Sequence, residues 1–141
     1  RDSLHQAARE MGIAEDVILP GFVANPYKHM RLADLFVLAS RYEGSPVVLT
    51  EALGLGLPVV STDCPSGPRE ILQDGVYGEL VSLDAPQELA DAMYKCLRDP
   101  PDPEKQREGA KPYSMEQSVP QYLEAMGLVR ANDADTNGTS R

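Results

Sequence analysis

The chain of 141 residues fits one ordinary domain, and two complete nucleotide-binding domains do not fit in it. Its 42% apolar share can supply a core, yet no run approaches a membrane span, which needs roughly 18 or more uncharged apolar residues. A formal net charge of -9, without clustered Lys and Arg, excludes nucleic acid as a partner, because phosphate-backbone binding depends on such clusters.

The first residues, "RDSLHQAAREMGI", lack an initiator Met and a basic, apolar leader, so the expectation is a chain that starts within a longer protein. Ser3 is the expected N-cap of a helix carrying Leu4, Ala7, Ala8 and Met11 on one side, and Gly12 follows where a C′ glycine belongs. "VILPGF" from Val17 reads as a strand. Asn25 and Pro26 read as N-cap and first helical residue of a short helix running through Met30 to Leu32. "DLFVLAS" from Asp34 and "LPVVSTD" from Leu57 are continuous apolar runs, the pattern of strands buried on both faces.

"YGELVSL" from Tyr77 is a further strand, and "APQELADAMYKCL" from Ala85 is a helix with Leu89, Met93, Cys96 and Leu97 inward. Strands alternating with helices predict an α/β fold: a Rossmann-like parallel sheet with helices on both faces. "RDPPDPEKQREG" from Arg98, with Pro100, Pro101 and Pro103 among dense charge, reads as a surface connection. A last helix is expected over "SMEQSVPQYLEAMGLV" from Ser114, kinked or divided at Pro120. Residues 1–130 are thus one domain, and 131–141 a disordered polar tail whose Asn137 sequon carries no weight. Cys64 and Cys96 are far apart and without metal-type spacing, so they read as reduced thiols of a cytosolic chain, with a lone disulfide as the alternative.

One stretch raises a chemical question. In "RYEGSPVVLTEALGLGLPVVSTD" a carboxylate, Glu51, stands in a helix that is otherwise almost wholly apolar, and a second, Glu43, sits in the preceding loop. A buried carboxylate needs hydrogen-bond donors. Ser45 before Pro46 is the expected helix start, and the free N–H groups of Val47 and Val48 then point into the crevice beyond a strand's carboxyl end, where a phosphate settles. Glu51, just over a turn in, is placed to accept from ribose hydroxyls. Glu43, with Gly44 beside it allowing close backbone approach, suits the hydroxyls of a sugar. The alternative reading of Glu51 is an ion pair with Arg41 or Arg69. Arg69 itself could reach a phosphate or be a solvated side chain, Asp63 reads as a turn organiser, and His5 and His29 read as surface or packing residues.

Glu43 and Glu51, with seven residues between them, together with "FVLASRYEG", "GLPVVSTD", "GPREIL" and "GVYGELV", resemble the ordered motifs of the retaining GT-B glycosyltransferases of family 4, over residues 17–97. The resemblance implies the C-terminal, donor-binding half of a GT-B fold, truncated at its N-terminus. It implies transfer of a sugar from a nucleotide diphosphate sugar to an acceptor hydroxyl with retention, in polysaccharide or glycolipid synthesis, with no metal and no cofactor. By the same resemblance Glu43 is the catalytic contact to the donor sugar and Glu51 the ribose ligand. Gly44, Ser45 and Val47 would receive the sugar and diphosphate through backbone N–H groups, while Gly21, Phe22 and Val23 face the nucleobase.

The family's Arg and Lys pair that neutralises the diphosphate lies upstream of this chain's first residue, and its acceptor site lies in a separate N-terminal domain. The resemblance therefore implies that these residues alone bind donor weakly and do not turn over. The longer protein is expected to be cytoplasmic or peripheral to a membrane, and this chain to associate through exposed apolar surface. The competing expectation is a non-catalytic nucleotide-binding or protein-interaction module. A nucleotide-sugar epimerase would keep the sheet but has no use for this glutamate pair.

Overall fold

The computed structural model describes residues 1–128; the expected tail at 131–141 lies outside the described residues. Three short strands form its sheet, β1 (Phe36–Leu38), β2 (Val59–Thr62) and β3 (Glu79–Val81), ordered β1-β2-β3. All pairing is parallel, with Phe36 opposite Val59, Leu38 opposite Ser61, Val60 opposite Glu79 and Thr62 opposite Val81. Helices connect the strands: α1 (Asp2–Glu10) and α2 (Tyr27–Met30) precede β1, α3 (Val47–Gly54) joins β1 to β2, and α4 (Pro68–Ile71) joins β2 to β3. Then follow α5 (Pro86–Arg98), α6 (Pro103–Ala110), a 3₁₀ turn (Lys111–Tyr113) and α7 (Met115–Ala125).

Helices cover both faces of the sheet, as expected, and successive residues of β2 show it. Val59 points into a core made with Met30, Leu49, Ala52, Leu53, Leu57, Ile71 and Leu72. Its neighbour Val60 points the other way, into a second core with Val81, Ala92 and Cys96 under α5. Side chains alternate across a strand, so two consecutive buried valines require cover on both sides. Leu89 and Met93 pack partly into the second core, but Leu97, expected inward, is 51% exposed.

Several elements depart from the sequence expectation. Residues 17–22 form no strand: Ile18 is 84% and Phe22 96% exposed, and Leu19's carbonyl is taken by the Arg1 guanidinium. A strand exists only through a partner's hydrogen bonds, and no neighbour supplies them among the described residues. α1 ends as expected at Gly12, which has φ 70° and donates to the Arg9 carbonyl over 3.0 Å. It starts two residues early, however, with Arg1 at the N-cap, Ser3 inside, and Leu4 and Met11 facing out around a buried Ala8.

The charged segment after Arg98 is a helix and not a plain connection. Asp102 caps it by accepting the Glu104 N–H at 2.9 Å, Pro103 occupies the first turn, and α6 then packs against α3. Gly109 lets α6 also lie close to Tyr77, just before β3, since an added Cβ there would lie 2.6 Å from that ring. Pro120 stands inside α7 without dividing it. Among the described residues, no helix is long and apolar enough to cross a membrane.

Gln106 of α6 is 1% exposed, and its side-chain oxygen has no hydrogen-bond partner. An unsatisfied buried acceptor costs roughly 1–3 kcal/mol, so Gln106→Met is expected to raise the urea midpoint. A lowered midpoint would mean that the amide is satisfied by an ordered water.

Candidate functional site

The carboxyl ends of β1 and β2 open onto the loop of residues 39–46, and the hydroxyls there organise it. Thr62, at the end of β2, donates to the Ser40 carbonyl, and Ser40 Oγ in turn donates to Glu43 Oε1 at 2.6 Å. Glu43 is therefore half-buried and held by the sheet's own rim. Gly44 and Pro46 continue the loop against the Gly67 turn that starts α4, where a Cβ on Gly67 would meet Pro46 Cδ at 2.3 Å and the Gly44 carbonyl oxygen at 3.4 Å.

α3 begins one residue later than the sequence suggests. Pro46 occupies the N-cap with ψ 81°, and Val47 donates to the Ser45 carbonyl over 2.9 Å, closing a tight turn. Two expectations fail here for one reason. Ser45 lies one position too early to cap α3 with its hydroxyl, and the Val47 N–H is occupied internally. Asn25 fails to cap α2 in the same way, because Pro26 is the N-cap and receives the N–H groups of His29 and Met30 at 3.0 Å. Among the described residues, the N–H groups of Gly44, Ser45 and Val48 have no protein acceptor. Unpaired donors at a helix tip, aligned with its dipole, attract an anion.

Glu51 is half-buried on α3, while Leu49, Ala52 and Leu53 around it are fully buried and Val47 is exposed. The helix is thus embedded on one side and open at its tip. The donor facing Glu51 is neither Arg41 nor Arg69: Arg41 pairs with Asp84 at 2.8 Å, and Arg69 pairs with Asp63 and, at 3.1 Å, with Asp74. Asp63 consequently organises its loop through Arg69, and Arg69 is engaged with two carboxylates. Instead, the Tyr27 hydroxyl at the start of α2 donates to Glu51 Oε1 at 2.6 Å. No sequence signal pointed to Tyr27, which is 24 residues away in the chain. Gly21, Phe22 and Val23 lie in the irregular stretch leading to α2, with Phe22 open to solvent and Val23 half-buried, and among the described residues no side-chain hydrogen bond joins them to either glutamate.

The Tyr27 phenol is held above its ordinary value, first by donating to Glu51 and then by that carboxylate's charge. A raised folded value stabilises below the unfolded midpoint of about 10 and is lost as pH rises through the folded one. In a spectrophotometric alkaline titration, with Tyr27→Phe identifying the signal, Glu51→Ala is expected to bring the Tyr27 midpoint down. An unchanged midpoint would mean that the two groups do not meet in solution. Among the described residues, no three His, Cys, Asp or Glu side chains converge as a metal-ligand set.

Comparison with known proteins adds an independent line. The family model described as glycosyl transferases group 1 matches residues 1–99. The N-acetylgalactosamine-N,N'-diacetylbacillosaminyl-diphospho-undecaprenol 4-alpha-N-acetylgalactosaminyltransferase of Campylobacter jejuni is 37% identical over 99 residues, 70% of this chain and 27% of that protein. The lipopolysaccharide 1,6-galactosyltransferase of Salmonella typhimurium is 38% identical over 82 residues, 55% of this chain and 23% of the relative. The crystal structure of Anabaena HepE in complex with UDP superposes with a TM-score of 0.76 at 26% identity, covering 91% of this chain and 36% of that one. The chain spans about a quarter of the length of these two curated relatives.

Proposed function

We propose, for a chain that belongs to the glycosyl transferases group 1, that residues 40–51 with Tyr27 form the donor-binding part of a sugar transferase. The observation that carries the reading is the pairing, on one short helix, of free N–H groups at the tip with a half-buried carboxylate on the body. A nucleoside diphosphate presents matching groups in the same order: phosphate oxygens need donors, and ribose hydroxyls need an acceptor.

In this reading Glu51 accepts from the ribose, and the amides of Gly44, Ser45 and Val48 hold the diphosphate and the sugar. Glu43 faces the donor sugar as the catalytic contact, and transfer to an acceptor hydroxyl proceeds with retention. The substitution of Val48 for Val47 among the amides follows from the internal bond at Val47. Gly21, Phe22 and Val23 remain on the nucleobase side. The reading gives no role to a metal ion. HepE complexes with UDP and with UDP-glucose support a nucleotide-sugar donor, and the Campylobacter and Salmonella relatives support a polysaccharide or glycolipid product. The acceptor would be held by parts of a longer protein, working at the cytoplasmic side as a peripheral enzyme, which suits the free thiols of Cys64 and Cys96.

Saturation-transfer NMR with UDP, GDP and ADP tests the reading on the 141-residue chain. One nucleotide is expected to receive saturation on its ribose protons, and Glu51→Ala to weaken its binding about tenfold or more, the scale of a hydrogen bond to a charged group. Silence from all three in a chain shown to be folded would favour a module that binds another protein and performs no transfer.

A further inference from the structure

Glu51 carries the ribose contact in the reading above, and the inference here rests on that reading. A free glutamate side chain samples many rotamers, and fixing it on binding costs conformational entropy. A side chain already fixed avoids that cost when the ligand arrives. Neither apolar packing nor an ion pair fixes this one. Glu51 is only half-buried, and the two arginines near the rim are bound to Asp84, Asp63 and Asp74.

The Tyr27 hydroxyl does what they do not. It reaches from α2 across to α3 and takes Oε1 at 2.6 Å, which fixes the plane of the carboxylate and leaves Oε2 as an unoccupied acceptor. The phenol is 45% exposed, so this bond is solvated and contributes little to stability by itself. Glu43 is served the same way, by Ser40 Oγ on Oε1 at 2.6 Å. Each carboxylate of the pair thus has one oxygen held by a neutral hydroxyl and one left over. A neutral donor orients a carboxylate without cancelling its charge, which an arginine would do.

We propose that Tyr27 is a positioning residue, holding Glu51 in the rotamer that presents Oε2 to the ribose hydroxyls of the nucleotide. It acts through Glu51 and makes no contact with the ligand's hydroxyls itself. Its removal therefore weakens ligands that carry those hydroxyls and spares ligands that lack them.

The test compares UDP with 2′,3′-dideoxy-UDP on the parent chain, Tyr27→Phe and Glu51→Ala, with dissociation constants from ligand-observed NMR titration. Tyr27→Phe is expected to weaken UDP about three- to tenfold, the scale of one hydrogen bond, while dideoxy-UDP changes by less than roughly twofold. Binding of dideoxy-UDP also certifies that the variant is folded. Equal loss for both ligands would overturn the proposal, because Tyr27 would then support the fold or the phosphates. No loss for either would overturn it as well. If Glu51→Ala itself fails to separate the two ligands, the ribose assignment fails. If Glu51→Ala separates them and Tyr27→Phe does not, only the positioning role fails.

Discussion

Gly67→Ala is expected to unfold at distinctly lower urea than the parent chain and to lose nucleotide binding with it. Gly67 holds φ 88° and ψ -65° at the N-cap of α4, a backbone region that costs an L-residue of order 1–3 kcal/mol. A methyl group there would also sit 2.3 Å from Pro46 Cδ. Relieving that overlap moves residues 44–46, and such overpacking adds roughly 1–3 kcal/mol. The same loop presents the amides of Gly44 and Ser45, so strain and ligand loss have one origin. Gly12→Ala is the matched control, with φ 70° and nothing within 4 Å of the added Cβ. It is expected to lose only the left-handed penalty of about 1–2 kcal/mol and to keep its ligand. Equal losses for the two variants would show that the Pro46 contact is not made in solution.

The second large effect is in the core. Leu53 is fully buried in α3, among Leu49, Ala52, Val59 and Leu72. Truncating it to alanine removes apolar contacts and leaves a cavity, for an expected loss of roughly 2–5 kcal/mol. A domain whose whole stability is about 5–15 kcal/mol can lose a third or more of it this way. Urea denaturation at unchanged slope would read the loss as a lower midpoint. Leu97→Ala, at a position 51% exposed, is expected to change stability by less than about 0.5 kcal/mol. A loss near that small value for Leu53→Ala would contradict the packing described for α3.

The three strands and the two-faced cover were legible because β2 and its neighbours are short, nearly uninterrupted apolar runs, a local property of the chain. The positions of Glu43 in a loop and Glu51 on a helix were legible for the same reason. Residues 17–22 misled because an apolar run looks alike whether or not a partner strand lies beside it; pairing belongs to the neighbour and not to the run. α6 was hidden by its prolines and charges, although Asp102 followed by Pro103 is a helix start, and the buried Gln106 gave no apolar signal. Ser45 and Asn25 looked like caps by residue type, but the proline after each moved the helix start one residue on. Tyr27 was out of reach for a deeper reason. Its partner is set by how α2 and α3 pack, and no spacing along the chain encodes that.

All four residues of β2 are buried, and this decides where the protein is open to redesign. A strand covered on both faces tolerates almost no change of side-chain volume, so its sequence is locked by packing whatever ligand is sought. An engineer wishing to alter selectivity is left with the rim, and there the Gly67 turn is closed as well. The exposed Arg41, Tyr42 and Val47 remain as a small set of editable positions around a fixed pair of carboxylates.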